Sequence, residues 1–161
     1  MVLAKGGDYQ FTHCTVATFS NSYILHRDPV LFVSNYVLVD NNPVTANLSA
    51  LFRNCIFWGQ DGTVEDEVVV AKSGSTTFDV NFDYDLWKVQ NVPANITSAG
   101  IINNQYPEFD TINTSKRIYN FRLKDESPAK NKATNASITI DLDGKPRPVG
   151  VAPDLGSYER Q

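Results

Sequence analysis

Phe11-Thr12-His13-Cys14-Thr15-Val16 returns 41 residues later as Phe52-Arg53-Asn54-Cys55-Ile56-Phe57, and more loosely after a further 30 as Phe82-Asp83-Tyr84-Asp85-Leu86-Trp87. Side chains alternate across a strand, so Phe52 and Cys55, three positions apart, would face opposite ways in an uninterrupted one. A one-residue corner at the third position of the hexad, His13, Asn54 or Tyr84, resets that phase. Phe11, Cys14 and Val16 then point inward together, as do Phe52, Cys55 and Phe57. His and Asn readily accept the left-handed backbone of such a corner, and Tyr84 fits it less well. Strand, corner, strand, recurring every few tens of residues, predicts a parallel β-solenoid whose stacked rungs bury one another's inner residues. Phe11 is expected over Phe52 and Cys14 over Cys55, about 4.8 Å apart in the stack.

The composition agrees with an all-β fold. Of 161 residues, 37 are Val, Ile or Thr, whereas Glu and Gln number five each, so strand formers outweigh helix formers. Fifteen Asn supply residues suited to tight corners. With 42% apolar and 20% charged residues, the chain reads as one globular domain over 1–161. Rungs and loops extend to about residue 140, and 141–161 form a tail. The competing architecture is a β-sandwich, which needs hairpin turns about every 8 to 12 residues. Asp61-Gly62 and Ser73-Gly74-Ser75 are its candidate turns.

A formal net charge of −4 excludes a basic nucleic-acid module. No window reaches the ~20 apolar residues of a membrane helix, since even 30–39 is broken by Ser34 and Asn35. Residues 2–7 have neither the basic nor the apolar region of a signal peptide. Cys14 and Cys55 are too few for a disulfide framework and have no zinc-site spacing, so they read as buried thiols. Residues 40–46 are expected to be the longest loop, with its turn at Asn41-Asn42-Pro43. Gly100-Ile101-Ile102 and 118–123 are further strand candidates. From Asp141 the Gly- and Pro-rich chain cannot be a central strand and is expected as an extended tail capping the stack.

Three motifs resemble the C-terminal part of secreted right-handed parallel β-helix proteins of Bacteroidetes and related bacteria, many of them lipoproteins. The first is the hexad, seen in His13-Cys14-Thr15-Val16 and more fully in Asn54-Cys55-Ile56-Phe57-Trp58-Gly59. The second is Phe121-Arg122-Leu123 followed by Ser127-Pro128-Ala129. The third is the closing run Asp141-Leu142-Asp143-Gly144-Lys145-Pro146-Arg147-Pro148 with Pro153-Asp154-Leu155-Gly156-Ser157-Tyr158-Glu159. The chain departs from the family after Ser-Pro-Ala: Lys130-Asn131-Lys132-Ala133 stands where members continue Ile-Asp-x-Gly, so no role of that Asp carries over. The resemblance implies a short right-handed parallel β-helix with an extended C-terminal capping tail. It also implies an exported, periplasmic or cell-surface location, and a chain that is the C-terminal piece of a longer protein.

Asp79, Asp83 and Asp85, with Asn81 and Tyr84, are the densest polar constellation. Asp79, Asn81 and Asp83 share one strand face at steps of two, a row of oxygens of the kind calcium uses; the bland alternative is a solvated outer face. Asp85 occupies the inward column of Cys14 and Cys55, where a carboxyl needs partners or a raised pKa. Asp141 and Asp143 lack the remaining ligands of a calcium loop and read as a turn. Arg147 is expected to pair with Asp154 or Glu159 and clamp the tail. Neither His13 nor His26 sits in a triad pattern, so no catalytic residue is assigned and no cofactor beyond calcium is considered. Trp58, Trp87, Tyr84, Tyr106 and Tyr119 are candidates for a sugar-stacking platform. The functional expectation is a non-catalytic module that binds a polysaccharide or a protein partner. A polysaccharide lyase or glycoside hydrolase is the rival. Because the residues before Tyr9 are too short and Gly-rich to cap the first rung, a homodimer through that rung is expected.

Overall fold

The backbone at His13, Asn54 and Tyr84 has φ of 53°, 59° and 57°, the left-handed values that a one-residue corner requires. Those corners organise the computed structural model, which describes residues 1–21 and 23–161. A first pass of the chain contains β1 (Val2–Leu3), β2 (Gly7–Thr12) and β3 (Thr15–Phe19). A second contains β4 (Leu31–Ser34), then an out-of-path pair β5 (Tyr36–Val39) and β6 (Asn42–Thr45), then β7 (Leu48–Arg53) and β8 (Ile56–Gln60). A third contains β9 (Val68–Ala71), β10 (Phe78–Asp83) and β11 (Leu86–Trp87). A partial fourth adds β12 (Thr97–Ala99) and β13 (Ile102–Asn103). Equivalent strands pair in parallel, giving the sheets β1-β4-β9, β12-β10-β7-β2 and β13-β11-β8-β3. The fold is therefore all-β with parallel sheets, and no helix occurs among the described residues.

The register is the one the hexads predict. Phe11 pairs with Phe52, and Phe52 with Phe82. Their rings stack with centroids 5.4 and 4.8 Å apart and planes within 8° and 16° of parallel. Resetting the alternation at Asn54 leaves both Phe52 and Cys55 fully buried. The sandwich alternative is excluded for these segments, because they pair in parallel. A fourth corner, Gly100 at φ 64°, extends the column. A Cβ there would lie 2.7 Å from the Tyr84 ring, so the position accepts only glycine without a shift of that ring.

The inner faces of all three sheets meet in one apolar cluster around Val33, Phe52, Phe57, Phe82 and Trp87. A second cluster forms on the opposite face of the β3-β8-β11 sheet, from Phe19, Ile56, Trp58, Leu86, Phe109, Leu123 and Leu155. β8 is thus covered on both sides, which is why it reads as a continuous apolar run rather than an alternating one.

Three local expectations are corrected and a fourth is borne out. Residues 40–46 are not a loop: β5 and β6 form an antiparallel hairpin with Leu38 opposite Pro43. Its turn is Asp40-Asn41, both at positive φ as a type I′ turn requires, and Pro43 is tolerated because the strand is an edge. Gly100-Ile101-Ile102 is not one strand: Gly100 is a corner between β12 and β13, and the parallel strands end at Asn103. The strand expected over 118–123 is borne out as β15 (Ile118–Leu123), paired antiparallel with β14 (Phe109–Asn113). Finally, the tail lies along the flank of the first two passes instead of over an end: Ser157 exchanges hydrogen bonds with Thr15, and the Gly156 amide donates to the Asn54 carbonyl. It goes there because the outward apolar face of β8 needs covering, and Leu155 helps to cover it.

Candidate functional site

The outer face of the β2-β7-β10-β12 sheet collects polar side chains in register. Alternation sends Phe52, Val80 and Phe82 inward and their neighbours outward. Three rows result across the stack: Asp8-Ser49-Asp79, Gln10-Leu51-Asn81-Thr97 and Thr12-Arg53-Asp83-Ala99. Arg53 Nε donates to Asp83 Oδ2 at 2.7 Å, both side chains about a third exposed. Asn81 Nδ2 donates to Asp79 Oδ1 at 2.8 Å. Between them lies a shallow depression of about 220 Å³ lined by Leu51, Arg53, Asn81, Asp83, Thr97 and Ala99. The two terminal guanidinium nitrogens of Arg53 have no hydrogen-bond partner among the described residues. Tyr84, 38% exposed, stands at the corner beside the third row with its ring over Gly100.

The expected ligand set divides here. Asp79, Asn81, Asp83 and Tyr84 lie on this face. Asp85 and Trp87 do not: both are buried, Trp87 edge-on to Phe82 at 4.9 Å, so its indole cannot stack against a sugar. Asp85 accepts hydrogen bonds from the amides of Cys55 (2.6 Å) and Asp83 (3.1 Å), and burial pushes its carboxyl up to about 8. It stabilises the corner from within. Trp58 and Tyr106 pack edge-on at 5.6 Å and Tyr119 stacks on Phe121, so the five aromatic residues form no common platform. For the calcium row, Asp79 is engaged by Asn81 and Asp83 by Arg53. Among the described residues no group of three or more His, Cys, Asp or Glu is placed to hold a metal ion.

Comparison with protein-family models, curated proteins and solved structures returns no match. The site therefore rests on its own geometry. The larger polar cleft, about 520 Å³ between β15 and the tail, is lined by charges that pair largely with one another. There Arg122 forks onto Asp143 while covering the Tyr158 ring at 4.5 Å, and Asp125 takes both Lys130 and Arg160.

Two groups lie outside the sequence candidates. Arg53 is the partner of Asp83, and aligning the second hexad with the third already places them side by side. His26 Nε2 lies 2.8 Å from both oxygens of Glu67, a pair buried against Gly59, whose Cβ would collide with either side chain. No motif marks the pair, although the two residues stand 41 positions apart, the same offset as Phe11 and Phe52.

The structural residues behave as the hexads suggest. The buried Asn54 donates to His13 Nε2 (3.0 Å) and to the Thr134 carbonyl (2.8 Å), and accepts from the Thr134 amide (2.9 Å). Burial, with the nearby Arg147 charge, lowers the His13 pKa to about 4. Arg147 pairs with Glu159, Nε to Oε2 at 3.1 Å, both side chains 1% exposed. Asp154 accepts instead from the amides of Asn131 and Arg160. Asp141 accepts from Asp143, Lys145 and Glu159 amides, closing a turn. The whole closing motif is thus spent on holding the tail.

Proposed function

We propose that this chain is a right-handed parallel β-helix module of an exported protein, periplasmic or cell-surface, that binds a polysaccharide on the outer face of its β2-β7-β10-β12 sheet without turning it over. The observation carrying this reading is the set of three in-register polar rows, with unengaged guanidinium nitrogens on Arg53 and a half-exposed ring at Tyr84 beside them. Positions that repeat about every 4.8 Å within a row suit a ligand that itself repeats hydroxyl groups along its length. A flat face with one shallow depression suits a chain lying across it better than a compact metabolite. Arg53 neutralises Asp83, so binding needs no calcium. The β-helix assignment draws support from the cyclic visit to three parallel sheets and from the closing-motif resemblance. A second copy at the β1, β2, β3 end belongs to the same reading, because each of those strands is an edge.

The test is calorimetric titration of neutral and acidic polysaccharides, with and without a chelator. Arg53→Ala should weaken binding by about 1.5–3 kcal/mol, roughly ten- to a hundredfold, for loss of hydrogen bonds to a charged group. Chelation should change nothing. Release of unsaturated uronates or new reducing ends, lost on Asp83→Ala, would establish a lyase or hydrolase and overturn the non-catalytic reading.

A further inference from the structure

Cys14 stands directly over Cys55. The register runs without slip from Thr12 opposite Arg53 to Thr15 opposite Ile56, so the intervening corner stacks residue for residue. The Cys14 amide points at Cys55 Sγ, 3.5 Å away. In-register parallel neighbours have Cα atoms about 4.8 Å apart, within the ~4.4–6.8 Å that a disulfide spans. Both thiols are free in this structure.

The two thiols are not equivalent. Among the described residues of the single chain β2 and β3 are edge strands, and Cys14 is partly exposed. Cys55 is fully buried beneath it, with Asp85 in the next rung. The hydrogen bond from Cys55 draws the Cys14 thiol down to about 7, whereas burial pushes that of Cys55 well up. The accessible sulfur is therefore the one with thiolate character, and the shielded one is its immediate neighbour, the arrangement of an attacking and a resolving thiol.

We propose that Cys14 and Cys55 form an intrachain disulfide by exchange with a disulfide oxidant of the glutathione class, stapling the first pass of the chain to the second. The Cys14 thiolate attacks one sulfur of the oxidant, forming a mixed disulfide and expelling one thiolate. That thiolate takes the Cys55 proton. The Cys55 thiolate then attacks Cys14 Sγ, the mixed bond breaks, and a second thiolate leaves and takes up the proton that Cys14 released. Two protein thiols are oxidised, one disulfide is reduced to two thiols, and no other reactant is needed.

The experiment equilibrates the reduced full chain in glutathione buffers of decreasing thiol-to-disulfide ratio. Samples are quenched in acid, their thiols are counted after denaturation, and intact mass and non-reducing electrophoresis are read. The expected result is loss of both thiols together, a mass lower by two hydrogens, no covalent dimer, a Cys14–Cys55 peptide in the digest, and a raised Tm that reductant reverses. Cys55→Ser should trap glutathione on Cys14, and Cys14→Ser should leave Cys55 unreactive in the folded chain. Both thiols surviving in the most oxidising buffer would overturn the proposal, as would wild-type protein that stops at the glutathione adduct or cross-links between chains. Should Cys55→Ser fail to fold, the wild-type mass and digest decide alone.

Discussion

At the scale of single residues the column beneath each corner carries most of the energetic consequence. Phe52 is the middle ring of a three-ring ladder and is fully buried, so Phe52→Ala should cost about 3–5 kcal/mol in urea denaturation, through lost transfer energy and a cavity that flanking rings cannot fill. A cost below ~1 kcal/mol would mean that the ladder collapses around the gap. Asp85 gives a pH dependence. Its folded-state pKa of about 8 lies above the unfolded 3.8, so the folded state holds the proton more tightly. That contribution is complete below the unfolded pKa and is lost as pH rises through about 8. His13 works in the opposite sense: lowered to about 4 from 6.5, it contributes stability above 6.5 that is lost as pH falls towards 4. Between about pH 6.5 and 7 Asp85 sets the slope, and above 7 the lowered Cys14 thiol, about 7 against 9.0 unfolded, works against it. Tm should therefore decline as pH rises from about 6.5 to 7, and Asp85→Asn should flatten the decline. The ladder and the inward place of Asp85 were legible in the sequence because the hexad carries its own phase reset. Arg53 is equally legible, since the hexad alignment sets it beside Asp83.

At the scale of elements, the same repeat explains both success and failure. β2, β3, β7, β8, β10 and β11 were readable because a large aromatic recurs at position one of each hexad. The next pass was half-missed: Ser98 stands where the Phe should be and Gly100 where the Asn should be, so β12 left no apolar signature. β5 and β6 were mistaken for loop because Pro43 argues against a strand, and that argument fails on an edge. The tail motif was recognised, yet its destination was not, since nothing in its own residues says that the outer face of β8 is apolar and open. Its anchor is the buried Arg147–Glu159 pair. Removing one partner of such a pair strands the other charge, so Arg147→Ala should cost about 3–5 kcal/mol. Arg53→Ala, which breaks a half-exposed pair, should cost under ~1 kcal/mol. Guanidinium denaturation of the two variants side by side measures the contrast.

At the scale of the whole molecule, both ends of the stack present strand edges, β9, β12 and β13 at one and β1, β2 and β3 at the other. The latter end adds the partly buried Phe11 and Val16. A self-association centred there should appear as a mass in light scattering that rises with concentration, and Phe11→Asp should abolish it without unfolding the chain. A mass that stays monomeric across the range would rule the association out. The unequal spacing of the hexads comes in part from the longer connection between β3 and β4 and in larger part from a single excursion. The β5-β6 hairpin leaves the path after Asn35 and returns at Ala46, whose amide donates to the Asn35 carbonyl at 2.9 Å. The two ends of the excursion are already bonded to each other, so the ten residues between are an appendix that the stack does not register. Such a seam is where a gene could gain or lose an ornament in one step, and where a foreign epitope could be displayed without the scaffold noticing the exchange.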